Sequence, residues 1–551
     1  MGASSMFPKM GSGLPSPKPW HGGYDSRMEI VQAVLALIAA CVGFALIARH
    51  ARLPYAVILV LGGIVLAFVP GLPHVTLDPQ LALAFFVPPL LQASAWRTDW
   101  RAFRGNIRPI LLLAVGAVLF TALCVAAVAK LLLPGLPWAA AIALGAIVAP
   151  PDAVAVSAVL RRLPVPQRLV AILEGESLVN DATALVLYRL AIAAVAAGSI
   201  ALESAALSFV LVAAGGIAVG WAVGAAAIWS FRRLDDPLLE TAVSFIACYG
   251  AFMAAEALGF SGVIAVVTTG LVMGQMQHRV LSPQTRMTSV AVWRFSEFVL
   301  TSLIFILVGL QLRGILERIA DRGVPELAGL ALAISAALIL SRFVWVFPSL
   351  YIPHWIAGLR RRPREPVLGE AMVVSWAGMR GVVSLAAALA LPLGFPERDL
   401  LVFLAFCAIL ATLVLQGTTL SRVITHFRVE EARAAGMAPD EARARRQVAR
   451  ATLAEIERRA EDILEGAVAR DLVDEYREKA RVFRGVADGG GQAELEARMR
   501  IRLAALRAGR VALLDHHRDD GLSDELLAGI ESELDLEELR ILRLLGATPG
   551  K

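Results

Sequence analysis

Charged residues are scarce in this chain. Only 18% of its 551 residues are charged and 57% are hydrophobic, whereas about a quarter of the residues in soluble domains are charged. The mean hydropathy is +0.67, and most of the charged residues lie in short loops or after residue 421. These values exclude a soluble fold for the part of the chain before residue 421 and indicate a membrane-embedded domain.

Cysteine is scarce as well. The four cysteines, Cys41, Cys124, Cys248 and Cys407, each lie in an apolar run, and none forms a CxxC or CxH pattern. This arrangement excludes a disulfide framework and a zinc site, so we interpret them as small apolar core residues. The net charge is only +5. Because no basic stripe alternates with aromatic residues, we expect no nucleic-acid partner.

The N-terminal segment lacks an apolar stretch. Residues 1–27 are rich in glycine, proline and serine, which is unlike a signal peptide. We expect this segment to be disordered. Met28 opens the first hydrophobic run directly, so a start at Met28 is an alternative to a start at Met1.

The chain is rich in long apolar runs. A membrane-spanning helix needs about 20 mostly apolar residues. The runs predict an all-α polytopic membrane protein with 13 transmembrane helices. The predicted spans are residues 29–48, 54–70, 81–96, 109–133, 138–160, 168–194, 204–230, 237–258, 260–276, 290–312, 326–351, 369–391 and 399–420.

The placement of arginine predicts the orientation. The loop between spans three and four holds Arg97, Arg101, Arg104 and Arg108, whereas the loop 71–80 holds no basic residue. Short basic loops face the cytoplasm. We therefore predict an N-terminus outside and a C-terminus in the cytoplasm, in the plasma membrane (the inner membrane of a bacterium).

The composition changes abruptly after residue 421. The segment 430–484 is charged and helical in pattern, glycines at 489–491 interrupt it, and two further helices are predicted at 493–515 and 523–545. This pattern indicates a small cytoplasmic helical domain. The predicted parts are a disordered segment 1–27, a transmembrane domain 28–428 and the cytoplasmic helical domain 429–551.

Span six carries the densest group of polar residues inside the predicted membrane. Its sequence AILEGESLVNDATALVLYRLA holds Glu176, Ser177, Asn180 and Asp181. Ionisable side chains inside a bilayer are costly, so each is a candidate functional residue. At 1.5 Å per residue, Asp181 lies about 20 Å along the span, near the midplane. Ser177 and Asp181 are four residues apart and therefore share one face of the helix.

Span five carries a proline pair, Pro150 and Pro151, followed by Asp152. Proline has no N–H to donate, so the pair breaks the helix and frees carbonyl groups in the preceding turn. Asp152 is also about 20 Å deep. Irregular backbone at that depth lines an enclosed cavity. Two carboxylates, a hydroxyl group and free carbonyls are the oxygen ligands that hard cations prefer.

Span twelve, SWAGMRGVVSLAAALALP, predicts a second broken helix because Gly378 and Gly381 flank Arg380. Spans five and twelve would then be partners in an inverted repeat, the architecture of secondary transporters with a midplane site. Glu176 requires a counter-ion inside the membrane. Either Arg342 of span eleven or Arg380 can supply it.

Other classes of membrane protein fit less well. An organic-anion transporter would favour basic residues over two midplane aspartates. A membrane enzyme would carry a motif such as HExxH or GxSxG, and neither occurs in the sequence. A channel would need no proton-binding carboxylate. We therefore expect a secondary transporter rather than an enzyme, with no cofactor beyond the ions that it transports.

Three motifs in order resemble those of the cation:proton antiporter-1 family, the sodium–proton exchangers of bacteria and eukaryotes. They are GESLVNDATALVLYR in span six, PPDAVAVSAV in span five and SWAGMRGVVSLA in span twelve. The resemblance covers about residues 28–428. It implies a homodimer in the lipid bilayer that exchanges Na⁺, or Li⁺, for H⁺ and serves pH homeostasis. Exchange of K⁺ for H⁺ by the same fold is the alternative.

The resemblance also implies a binding site. Asp181 would bind the cation and the proton in turn, and Asp152 and Ser177 would assist as further Na⁺ ligands, together with a backbone carbonyl at Pro151. Asn180 and Asp181 would be the asparagine–aspartate pair of the electroneutral branch of the family.

An internal ion bridge is the remaining implication. Glu176 would pair with Arg342, or failing that with Arg380. The sequence departs from the family pattern at two places. Pro151 stands where many members have threonine, and Gln92 follows the prolines of span three where some members have an acid.

Overall fold

The computed structural model describes residues 24–51, 53–70, 79–160, 163, 165–197, 202–319, 321–357, 368–429, 439–459, 466–488, 490–520 and 524–546. Within these residues the chain is helical and contains no strand, which confirms the all-α prediction. The chain divides into two compact units, Met1–Glu431 and Ala432–Lys551. The sequence predicts this boundary between residues 428 and 429.

The first unit contains seventeen α-helices in its described residues, with a π-helical turn at Leu112–Ala117. The helices are α1 Tyr24–Ala51, α2 Tyr55–Ala67, α3 Pro79–Arg97, α4 Trp100–Gly105, α5 Ile107–Leu111, α6 Val118–Leu132, α7 Trp138–Val148, α8 Ala153–Leu160, α9 Gln167–Ala197, α10 Leu202–Phe231, α11 Pro237–Ala257, α12 Gly262–Val280, α13 Pro283–Arg318, α14 Val324–Ala357, α15 Leu368–Trp376, α16 Val382–Leu389 and α17 Arg398–His426.

Seven helical stretches in the described residues are long and apolar enough to cross a membrane, and three shorter apolar helices accompany them. These stretches confirm a multi-pass membrane protein. The count of thirteen spans stays a prediction. One reason for the lower count is that predicted spans five and twelve are each divided into two short helices, α7 with α8 and α15 with α16.

The predicted disorder of residues 1–27 is wrong for its last four residues. Helix α1 begins at Tyr24, before the hydrophobic run that opens at Met28. Residues 24–27 contain no glycine or proline, whereas Gly22 and Gly23 precede them. The helical pattern can therefore continue N-terminally as far as the glycines. The rest of the predicted disordered segment lies outside the described residues.

Both predicted helix breaks are present. The backbone is unwound over 149–152 between α7 and α8, and over 377–381 between α15 and α16. The two breaks cross, because the backbone N–H of Asp152 donates to the carbonyl oxygen of Met379 with an N···O distance of 2.8 Å. The largest buried apolar cluster of the unit packs around both broken helices.

Close packing by glycine joins α2 to α13. A Cβ atom on Gly63 would overlap the carbonyl oxygen of Ile306, and one on Gly309 would overlap that of Val60. Small residues at helix contacts are typical of membrane proteins, where dispersion contacts replace much of the hydrophobic driving force. This packing places α13, which lines the site described below, firmly against its neighbour.

The second unit contains four described helices: α18 Pro439–Arg459, α19 Gly466–Ala487, α20 Gln492–Asp520 and α21 Asp524–Leu544. Its small core includes Val482, Leu495, Met499, Leu506 and Ile541. The predicted glycine interruption lies between α19 and α20. Of the predicted helix 430–484, residues 430–438 and 460–465 lie outside the described residues.

Candidate functional site

A small cavity lies beside the crossing of the two breaks. Its volume is about 50 Å³, enough for a few water molecules at roughly 10–15 Å³ each. Helices α3, α9, α13 and α16 and the break before α8 all contribute to its walls. The polar residues that line it are Ser94, Asp152, Ser177, Asp181, Thr301 and Ser384.

Helix α9 runs without interruption past this cavity. Ser177 and Asp181 both line it, as their four-residue spacing predicts. Glu176 and Asn180, one residue earlier in each case, are buried as well but do not line the cavity. The helix therefore presents a carboxylate and a hydroxyl to the cavity, and it directs a second carboxylate and an amide toward neighbouring segments.

Asp152 lies where two helices begin. It is the last unwound residue before α8, and its carboxyl group packs against Gly381, the residue before α16. A Cβ atom on Gly381 would overlap that carboxyl group, so only glycine allows the approach. The N-terminus of a helix carries partial positive charge and favours a nearby carboxylate. Two such ends meet at Asp152.

Asn180 connects α9 to the first break. Its Nδ2 donates to the carbonyl oxygen of Pro151 at 3.0 Å, and the side chain is fully buried. The sequence predicts the Pro151 carbonyl as a cation ligand, and a carbonyl oxygen has a second lone pair after accepting one hydrogen bond. In this structure Asn180 thus holds the backbone beside Asp152 and is not itself among the residues that line the cavity.

Arg380 lies in the second break and reaches back to the first. Its guanidinium donates to the carbonyl oxygen of Ala149, just beyond the last residue of α7. Its backbone N–H donates to Thr412 Oγ1 of α17 at 3.2 Å. The C-terminal end of a helix carries partial negative charge, which a cation stabilises. Arg380 therefore caps the first half of the other broken helix.

Glu176 pairs with Arg342, the first of its two predicted partners. The pair is bidentate, with Nη1···Oε1 at 2.6 Å and Nη2···Oε2 at 2.8 Å, and the two side chains are 1% and 3% exposed. Arg342 Nε also donates to the carbonyl oxygen of Val374 in the last turn of α15, at 3.0 Å. One arginine thus connects α14 to α9 and caps the first half of the second broken helix.

Three hydroxyl residues line the cavity that the sequence does not single out. Ser384 is three residues beyond Gly381 in the motif of span twelve, and Thr301 lies in the middle of α13. Ser94 comes from α3. The position of Ser384 within a glycine–arginine–glycine motif is a signal that could have identified it. Nothing in the apolar sequence around Thr301 distinguishes it from an ordinary helix residue.

Fold and site together define a helical membrane protein with a carboxylate-lined cavity beside two crossing broken helices. The family model described as "Sodium/hydrogen exchanger, transmembrane" matches residues 34–426. The chain therefore belongs to the sodium/hydrogen exchanger family, which confirms the resemblance found in the motifs. It is a cation/proton antiporter, a secondary transporter rather than an enzyme.

Individual relatives agree with this assignment. An uncharacterized Na⁺/H⁺ exchanger of Mycobacterium tuberculosis is 34% identical over 541 residues, covering 94% of this chain and 98% of the relative. A sodium, potassium, lithium and rubidium/H⁺ antiporter of Bacillus pumilus is 34% identical over 410 residues, covering 71% and 61%. The solved sodium proton antiporter MjNhaP1 of Methanocaldococcus jannaschii shares the fold, with a TM-score of 0.56, 20% identity, and coverage of 73% and 100%.

Proposed function

We propose that this antiporter exchanges Na⁺, with Li⁺ as an analogue, for H⁺ at Asp181. The observation that carries the proposal is that Asp181 and Asp152 line one small cavity beside the two helix breaks. With the Ser177 hydroxyl, they offer the oxygen ligands that a hard cation prefers. Asp181 also accepts a proton, and it cannot hold both ions at once. This competition couples the two fluxes.

The free-energy cost of a charge inside the membrane explains why competition between Na⁺ and H⁺ for Asp181 results in exchange. A bare charge near the midplane costs a few kcal/mol or more. Binding either Na⁺ or H⁺ removes the negative charge of Asp181, so only the loaded site is carried across cheaply. Alternating access by rocking of one part of the bundle against the other then exposes the site to each side in turn.

The exchange is proposed to be electroneutral. Asn180 beside Asp181 is a neutral amide whose Nδ2 donates to the Pro151 carbonyl, so it adds no second exchangeable proton. One Na⁺ therefore replaces one H⁺. In proteoliposomes we expect the rate of exchange to be the same with and without an imposed voltage. A clear dependence of the rate on voltage would contradict the one-for-one stoichiometry.

The proposed topology completes this mechanism. We propose thirteen spans in the bacterial inner membrane, with the N-terminus outside and the C-terminus cytoplasmic, supported by the basic loops between odd and even spans. The two broken helices, each capped at the end of its first half by an arginine, support an inverted repeat. A homodimer is the proposed assembly.

Potassium is the second candidate cation. The name of the Bacillus pumilus relative includes potassium and rubidium beside sodium. Measuring proton release from proteoliposomes on addition of NaCl, LiCl or KCl at equal ionic strength separates these cations directly. A K⁺ response equal to the Na⁺ response would make this protein a K⁺/H⁺ antiporter as well.

Replacing Asp181 with asparagine tests the proposed site. Asp181→Asn keeps the size of the side chain but can neither carry a charge nor exchange a proton. We expect no Na⁺-dependent proton release from everted vesicles that contain a normal amount of the protein. Asp321→Asn, in an exposed loop, is the matched control and should retain full activity. Activity like that of the wild type in Asp181→Asn would remove Asp181 from its proposed role.

A further inference from the structure

The cavity contains two hydroxyl groups that no hydrogen bond explains. Thr301 and Ser384 both line it, and they are 1% and 2% exposed. Neither Thr301 Oγ1 nor Ser384 Oγ has a hydrogen-bond partner in the described part of the chain. A buried polar group without a partner destabilises the folded protein. Such groups call for a specific explanation, for example an ion that binds there.

Several other buried hydroxyls in the described residues do find a partner. Thr183, Thr269, Ser375 and Thr412 each donate to a carbonyl oxygen four residues earlier in their own helix. This is the usual way in which a helical serine or threonine satisfies its hydroxyl group in an apolar environment. Thr301 lies in the middle of α13, where the same bond to an earlier carbonyl is available, and it does not make it.

The ligands proposed above would by themselves leave a cation poorly surrounded. Asp152, Asp181 and Ser177 supply oxygen atoms from α9 and the first break, and one lone pair of the Pro151 carbonyl is already occupied by Asn180. The other walls of the cavity are mostly apolar, so they cannot replace the water that a cation loses on entry. Hydroxyl oxygens on α13 and α16 would supply oxygen ligands from two further walls.

We propose that the hydroxyl groups of Thr301 and Ser384 bind the transported cation directly. This inference rests on the proposed function, because it concerns the cation held at Asp181. The oxygen atoms of the two hydroxyls coordinate the cation and make no competing hydrogen bond within the described residues. They therefore determine how tightly the cation binds, whereas Asp181 determines whether exchange occurs at all.

Two cavity substitutions and two controls test this inference. Thr301→Val and Ser384→Ala remove the hydroxyl groups with little change in shape. The matched control is Ser302→Ala, because Ser302 is fully buried and its hydroxyl also lacks a partner in the described residues, but it does not line the cavity. We expect the apparent KM for Na⁺ to rise about tenfold in each cavity variant. It should stay unchanged in Ser302→Ala and within about twofold of the wild type in Thr301→Ser, which keeps the hydroxyl.

Thermal unfolding in detergent gives a second readout that does not depend on transport. Na⁺ should raise the Tm of the wild type because it binds only the folded protein, and it should raise the Tm of Thr301→Val and Ser384→Ala by less. In Na⁺-free buffer the two variants should be about as stable as the wild type, because each lost hydroxyl makes no hydrogen bond within the described residues. A purely structural role would instead lower the Tm equally with and without Na⁺, which would overturn the inference.

The outcomes separate this inference from the proposed function. If the wild type exchanges Na⁺ and Asp181→Asn does not, the proposed function stands. A wild-type KM and a wild-type Na⁺-dependent rise in Tm in both cavity variants would then overturn only the role of the hydroxyls. Full exchange by Asp181→Asn would overturn the proposed function itself.

Discussion

The two helix breaks carry opposite charges and are built from different residues. The first break, 149–152, arises from two prolines and ends in Asp152, whereas the second, 377–381, contains glycines and Arg380. Arg380 donates to a carbonyl of the first break, and Gly381 leaves room for the carboxyl group of Asp152. Each break thus stabilises a group of the other. The site therefore forms only where the two breaks cross, and neither segment forms it alone.

The half-helices that end at the breaks are capped with unequal strength. A hydrogen bond from Arg380 caps the end of α7. The end of α15 is capped by Arg342, which is also held by two hydrogen bonds to Glu176. The second break therefore depends on a buried ion pair, while the first depends on single hydrogen bonds. This difference predicts that substitutions at the two breaks will have effects of unequal size.

The largest effect is expected at Arg342. Arg342→Met leaves Glu176 buried without its counter-ion, and breaking a buried pair in this way typically costs about 3–5 kcal/mol. It also removes the hydrogen bond to the Val374 carbonyl. We expect a large drop in the unfolding midpoint in detergent and little folded protein in the membrane.

Removing both charges is the control for that experiment. In the double variant Glu176→Leu with Arg342→Met, no uncompensated charge stays buried, and replacing a pair by apolar residues is often neutral. The unfolding midpoint should therefore recover in large part, but not fully, since the Val374 carbonyl still lacks its donor. An Arg342→Met variant as stable as the wild type would refute the structural role of the pair.

A smaller effect is expected at Gly381. In Gly381→Ala the new methyl group overlaps the Asp152 carboxyl group, and overpacking of this kind typically costs about 1–3 kcal/mol. Because the Asp152 carboxyl group has to move, we expect a large loss in the rate of exchange in everted vesicles. The relative decrease in the unfolding midpoint should be smaller. Gly394→Ala is the control, since nothing lies within 4 Å of the added Cβ atom there. Equal exchange by the two variants would show that the contact does not position Asp152.

The sequence predicts the local features of this site because each has a local cause. The prolines at 150 and 151 have no N–H to continue α7. The four-residue spacing of Ser177 and Asp181 places them on one face of α9. These features require only the chemistry of neighbouring residues, and the structure contains each of them.

The sequence does not predict features that depend on contacts between distant segments. Glu176 and Arg342 are 166 positions apart, and only the arrangement of the helix bundle brings Arg342 rather than Arg380 within reach of Glu176. The orientation of the Asn180 side chain likewise depends on a distant segment, because its Nδ2 donates to the carbonyl oxygen of Pro151. Thr301 and its neighbour Ser302 lie in an otherwise apolar run, and only the packing of α13 determines which of the two lines the cavity.

The smallest effect is expected at Asn180, which acts on the first break. Asn180→Ala removes one hydrogen bond to the Pro151 carbonyl, and the net contribution of such a bond is about 1 kcal/mol. Since that bond holds the backbone beside Asp152, we expect exchange to fall by about fivefold, with Na⁺ still required. Thr183→Val is the control, because the Thr183 hydroxyl donates to Val179 within its own helix. If Asn180→Ala and Gly381→Ala instead lowered the rate of exchange equally, that result would contradict our prediction that substitutions at the two breaks have effects of unequal size.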